Sequence, residues 1–113
     1  MKLAIVGSRG VKSADIGEIV AEHGLQPTTV ISGGAMGIDK LAERWASNNG
    51  IPTEIYLPDY KRHLQGAPIR RNELMARDCD MLLAIWDGKS KGTAHIVKYA
   101  KKLGKSVIVV NLP

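Results

Sequence analysis

Four short stretches hold the side chains that could do chemistry. Gly7-Ser8-Arg9 follows the apolar run Leu3-Ala4-Ile5-Val6. Gly7 permits a close backbone approach, Ser8 offers a hydroxyl, and Arg9 offers a planar fork for phosphate or carboxylate. The plain alternative is a tight turn with a solvated arginine. Ser32-Gly33-Gly34-Ala35-Met36-Gly37-Ile38-Asp39 joins a β-branched run to an amphipathic one. Its small residues let backbone N–H groups converge on an anion at a helix N-terminus. Asp39 either favours the positive end of that helix or accepts a hydrogen bond from a ribose hydroxyl. Arg70-Arg71-Asn72 opens a further helix, with Arg71 four residues before Met75, on a side expected to pack inward. Asp87-Gly88-Lys89-Ser90-Lys91-Gly92-Thr93 is a second glycine-rich approach to a helix, carrying two hydroxyls and two lysines.

The remaining reactive types have plainer uses. His23 sits at a helix end, and His63 and His95 have no partner at metal-ligand or Cys–His spacing. Cys79 reads as a small buried apolar residue. Trp45 falls on a core stripe, and Trp86 either packs or stacks on a base. Lys98, Lys101, Lys102 and Lys105 form a solvated helix face. Neither glycine-rich loop follows G-x-x-x-x-G-K-[ST] or G-x-G-x-x-G, which argues against a P-loop NTPase and a generic NAD-dependent dehydrogenase.

The elements that must position these residues alternate along the chain. Apolar or β-branched runs at 3–6, 28–31, 53–57, 81–86 and 106–110 predict strands. Between them lie stripes at helical spacing. Ser13 is expected to cap a helix burying Ile16, Ile19, Val20 and His23 and ending at Gly24. Ile38, Leu41, Ala42, Trp45, Ala46 and Asn49 mark the second helix, closed by Gly50. Residues 59–67 read as polar and irregular, and Pro68 starts a helix running to about Arg77. Ile96, Ala100 and Leu103 mark the last helix, stopped by Gly104. Such alternation predicts a doubly wound parallel α/β sheet. The long 58–80 connection sends the chain back past the first strand, giving the order 3-2-1-4-5. The switch point then lies between strands 1 and 4, so the candidate loops should share one edge of the sheet.

Length and composition bound the reading. The 113 residues suit one domain, 1–113, and 44% hydrophobic with 24% charged residues is a globular balance. A lone cysteine excludes an internal disulfide framework, and no cofactor or metal is called for. No apolar run approaches the length of a membrane span, and the apolar stretch before Gly7 is too short for a signal peptide. A cytoplasmic protein without membrane association is expected. The net charge of +5 is uneven. Residues 1–60 hold five basic and seven acidic residues, −2, whereas residues 61–113 hold eleven and four, +7. The second half therefore favours an anionic partner.

At these loops the sequence resembles the SLOG superfamily, which includes the DNA-processing protein A family, the Lonely Guy phosphoribohydrolases and small stand-alone YspA/YpsA-like proteins. Val30 to Asp39 is similar to the SGxAxGID stretch of the DNA-processing branch. Arg71-Asn72 with Met75 and Asp80 looks like the Lonely Guy run R-K-x-x-M ending in A-D. Gly92-Thr93 matches the position of the PGGxGT loop, and Trp86 to Thr93 resembles the WDGxSxGT form of the YspA-like group. The resemblance implies a Rossmann-like fold, phosphate recognition with Arg71 as the family arginine, and a homodimer. Ile96 stands where the phosphoribohydrolases carry a glutamate implicated in N-glycosidic cleavage, and it has no acid or base function.

Three functions follow in order of preference. The first is binding of a nucleotide-like phosphorylated ligand, as a sensor or scavenger. Next comes cleavage of such a ligand, with Asp87 or Asp39 as the carboxylate. The third is single-stranded nucleic acid binding, which the sparse aromatic residues of the basic half support poorly.

Overall fold

Successive side chains of a strand point to opposite faces, and the first strand uses both. Leu3 and Ile5 enter one core, Ala4 and Val6 the other. In the computed structural model, which describes residues 1–112, this strand is β1 (Lys2–Gly7). The chain continues as α1 (Ile16–Glu22), β2 (Thr29–Ser32), α2 (Ile38–Asn48) and β3 (Thr53–Ile55). A short α3 (Tyr60–His63) and a 3-10 turn (Leu64–Gly66) lead into α4 (Ala67–Asp78). Then follow β4 (Met81–Trp86), α5 (Lys91–Lys102) and β5 (Ser106–Asn111).

All pairings are parallel and the strand order is β3-β2-β1-β4-β5, as the alternation and the long crossover require. Helices cover both faces. Ile16, Val20, Ile38, Ala42 and Ala46 of α1 and α2 pack on Leu3, Ile5, Val30, Leu83 and Ile85. Met75, Ala76, Ile96 and Ala100 of α4 and α5 pack with Cys79 on Ala4, Val6, Ile31, Leu82 and Ala84. Each fully buried Leu or Ile contributes about 1.5–3 kcal/mol, so the central pair β1 and β4 anchors the molecule. Parallel pairing puts every strand's carboxyl end on one edge, where the loops to α2, α4 and α5 gather.

Several local expectations are corrected. Asp15, not Ser13, caps α1, because its carboxylate accepts the Glu18 N–H at 2.9 Å and Ser13 lies outside the helix. His23 is exposed rather than inward, with Nδ1 2.9 Å from the Ile19 carbonyl at the helix end. Residues 59–67 are not irregular: Asp59 caps the Arg62 N–H at 3.2 Å and starts α3. Strand β3 stops at Ile55, since it lies on the sheet edge with a partner on one side only. The buried stripe of α5 is Thr93, Ile96 and Ala100, while Leu103, at the C-cap, is 42% exposed. No helix among the described residues is long and apolar enough to cross a membrane.

Candidate functional site

A cleft of about 390 Å3 opens at the carboxyl edge of the sheet. That volume lies within the range of small-molecule sites. Gly7 and Arg9 reach it from the end of β1, and Gly33, Gly34, Ala35 and Asp39 from the β2–α2 loop. Arg71 and Asn72 enter from α4, and Ser90, Gly92 and Thr93 from the start of α5. The two glycine-rich loops and the α4 arginine therefore meet, as the strand order predicts.

Arg71 and Asn72 tie the two loops together. The Arg71 Nη1 donates to the carbonyls of Gly33 and, at 3.4 Å, Tyr56. Its Nε donates to Asn72 Oδ1 at 2.9 Å, and Asn72 Nδ2 donates to the Gly92 carbonyl at 3.5 Å. The Nη2 amino group makes no hydrogen bond among the described residues. Burial lowers the Arg71 pKa and the Asp39 carboxylate offsets part of that effect; a guanidinium nevertheless stays charged. A half-buried, oriented cation with spare donors thus faces the cleft. A Cβ added at Gly33 would lie 2.8 Å from Arg71 Nη1 and 2.9 Å from Asp39 Oδ2. Only glycine leaves both groups their positions.

The loops do not contribute equally. At α5, Ser90 Oγ accepts the Thr93 N–H at 3.3 Å and the Thr93 hydroxyl at 3.1 Å, which fixes a twelve-residue helix with its positive end beside the cleft. At the β2–α2 loop, Gly34 N–H donates to Ser32 Oγ at 3.2 Å and Ala35 N–H donates to Asp39 Oδ2 at 3.2 Å. Those amides already have acceptors from their own chain.

Five expected residues stand outside the cleft lining. Ser8 is buried: its hydroxyl accepts the Asp87 N–H at 2.9 Å, and its carbonyl accepts the Ile38 N–H at 3.3 Å. It joins three elements rather than facing a ligand. Ser32, also buried, donates to Glu43 Oε2 at 2.6 Å. Gly37 and Gly88 shape their loops at positive φ. Asp87 is exposed and accepts the N–H groups of Lys89 and Ser90 at 2.8 and 3.0 Å. Those two bonds hold its carboxyl below the usual range.

Asp39 is the titratable carboxyl of the cleft. It is 5% exposed. Burial pushes its pKa from 3.8 up to about 6; the Ala35 N–H and Arg71 act against the rise, and the Glu43 carboxylate adds to it. A carboxyl with a raised folded pKa binds its proton more tightly in the folded state. Its contribution to stability is complete below about pH 3.8 and is lost as pH rises to about 6. Above that, the buried charge costs about 3 kcal/mol as an upper bound. Asp39→Asn, which resembles the neutral form, should therefore raise the melting temperature at pH 7.5. The gain should shrink to nothing by pH 4. Equal gains at both pH values would mean that Asp39 carries no such cost.

The sequence reading missed one wall. Leu57, Pro58 and Tyr60 close the cleft beyond β3, and Val6, Pro68, Met75 and Ile96 supply apolar lining. The signal was present, because Leu57, Pro58 and Tyr60 also follow a strand end. Ile96, at 1% exposure, lines the cleft from the first turns of α5. Trp86 takes no part: its indole N–H donates to the Ser90 carbonyl at 3.0 Å. Cys79 is buried and burial raises its thiol pKa, in keeping with a core role. Among the described residues no group of His, Cys, Asp and Glu could hold a metal ion.

Comparison with known proteins gives the family. Residues 1–63 match YAcAr, the YspA, cpYpsA-related SLOG family. The chain is also similar to the Gene 61 protein of Mycobacterium phage D29, at 35% identity over 85 residues. That match covers 70% of this chain and 68% of the phage protein.

Proposed function

Because the chain belongs to the YspA, cpYpsA-related SLOG family, we propose that it binds a nucleotide or nucleotide-derived phosphorylated ligand, as a sensor or scavenger. One observation carries the reading. An oriented cation, Arg71, shares one cleft with the N-terminal end of α5, while Leu57, Pro58 and Tyr60 give it an apolar wall. The phosphate binds at Arg71, Arg9 and the α5 terminus, where charge and helix dipole act together. The heterocycle packs against the Leu57–Tyr60 wall, which needs no hydrogen bonds and suits a flat apolar face. A thermal-shift screen of nucleoside mono- and diphosphates tests this reading. Stabilisation by nucleotides beyond that given by inorganic phosphate is expected, and none from any nucleotide would sink it.

Cleavage of the ligand is the second reading, and Asp39 is the observation in its favour. Asp39 is the carboxyl that lines the cleft, its pKa raised by burial to about 6, whereas Asp87 lies outside. A group poised there can exchange a proton at pH 7. Against it stands Ile96, an apolar side chain at the cleft position where the phosphoribohydrolases carry glutamate. The expected result is slow or absent release of free base from nucleoside monophosphates, followed by chromatography after long incubation. Rapid release, abolished by Asp39→Asn, would make this protein an enzyme.

A further inference from the structure

The two loops at the cleft differ in the sign of what they offer. At the start of α5 Ser90 Oγ takes the Thr93 N–H and the Thr93 hydroxyl, but no carboxylate lines the cleft there, so the positive end of the helix stands unopposed. The β2–α2 loop has the composition of an anion cradle, but its cradle is filled. Ser32 Oγ takes the Gly34 N–H, and Asp39 Oδ2 takes the Ala35 N–H. The Asp39 carboxylate is 95% buried on the first turn of α2 and still borders the cleft. It lies beside Gly33, with Arg71 on the same glycine. A phosphate brought to this loop would meet a carboxylate and no free N–H at Gly34 or Ala35. A hydroxyl meets no such obstacle, because an ionised carboxylate has about four lone-pair sites, of which the backbone at Ala35 and Gly33 uses two.

From this asymmetry we infer that Asp39 is a specificity residue: it accepts hydrogen bonds from free vicinal hydroxyls of the ligand's sugar and excludes a ligand phosphorylated at those hydroxyls. The assignment rests on the nucleotide reading above and adds the ligand's chemistry at the sugar. The order of the strands supports it. Strand β1 separates the ends of β2 and β4, so the two loops are two strand spacings apart, roughly 9–10 Å. A single pentose phosphate bridges such a span with its phosphate at α5 and its diol at Asp39. The base then continues in the same direction, past β2 to the Leu57–Tyr60 wall beyond β3. Phosphate, sugar and base thus take the order in which the strand ends present a helix terminus, a carboxylate and an apolar surface.

Calorimetric titration tests the inference. The 5′-monophosphates of adenosine, guanosine, cytidine and uridine are compared first. For the tightest binder, its 2′,3′-dideoxy and 3′-phosphorylated analogues follow. Each analogue is expected to bind the wild type roughly ten- to a hundredfold more weakly, the scale of one charge-assisted hydrogen bond. Asp39→Ala should abolish the penalty for the dideoxy analogue. Asp39→Asn, which keeps the shape and loses the charge, should reduce the penalty for the 3′-phosphate. Affinity ratios within one variant are the readout, so a uniform loss of affinity does not imitate the effect. Equal affinity of the wild type for all three ligands would overturn the inference and leave the nucleotide reading intact. Ratios unchanged in both variants would do the same. No binding by any of the four monophosphates would overturn both.

Discussion

Gly37→Ala should lower stability by about 2–6 kcal/mol, a large share of the roughly 5–15 kcal/mol that holds a domain folded. Two costs add. Gly37 has φ +76° with ψ −129°, a sparsely populated conformation outside the left-handed α well that costs an L side chain about 1–3 kcal/mol. In addition, a Cβ there would overlap the carbonyl oxygens of Ser8 and Arg9 and come within 2.7 Å of the Arg9 carbonyl carbon. Those atoms are backbone and cannot rotate away, so the overlap adds about 1–3 kcal/mol. Gly37 is also the N-cap of α2, and the next residue, Ile38, donates its N–H to the Ser8 carbonyl. A shift here parts the β1 end from α2. Gly24→Ala separates the two costs, because Gly24 has φ +64° and nothing within 4 Å of the added carbon. It should lose only the conformational part. Denaturant midpoints measure both variants, and equal losses would show that the close approach of the β1–α1 and β2–α2 loops carries no energy.

Arg71→Ala is expected to weaken binding of the best ribonucleoside 5′-monophosphate by roughly ten- to a hundredfold. A charged hydrogen bond to phosphate contributes about 1.5–3 kcal/mol, and Arg71 brings an oriented guanidinium with its Nη2 unengaged. The side chain also fastens Gly33 and Asn72, so its loss should lower the melting temperature as well. Arg71→Lys distinguishes the two roles. Lysine keeps the charge but lacks the planar fork, so it should recover part of the affinity while the ties to Gly33 and Asn72 stay broken. Calorimetric titration gives the first quantity and thermal unfolding the second. Unchanged affinity in Arg71→Ala would mean that the phosphate is held elsewhere.

Much of this architecture was legible in the sequence because its signals are local or periodic. The β-branched run before Ser32 and the all-apolar run from Met81 to Trp86 carry their strand signal in their own residues. The stripe from Ile38 to Ala46 has the helical period that α2 then shows. Parallel pairing and the handedness of crossovers then leave few arrangements, and the strand-end rule brings Arg9, Gly33, Arg71 and Gly92 to one cleft. Membership of the wider superfamily was legible too, through the Ser32–Asp39 loop, which lies within the matched residues 1–63.

What the sequence determined by itself is which residues reach the carboxyl edge of the sheet. Only the tertiary structure decided which of their atoms remain free to bind. Ser8 and Asp87, both candidate ligand contacts, meet each other across the β1 and β4 ends, because the Asp87 N–H needs an acceptor and Ser8 is beside it. Ser32 and Asp39 fill a loop whose glycines promise a phosphate cradle, since buried N–H groups take the first acceptor within reach. Leu57 and Tyr60 become a wall of the cleft because the chain leaving β3 passes along its edge before α3. Periodicity is a property of neighbours in the chain. Hydrogen-bond satisfaction is a competition among neighbours in space, and its outcome depends on which donors and acceptors the folded chain brings together.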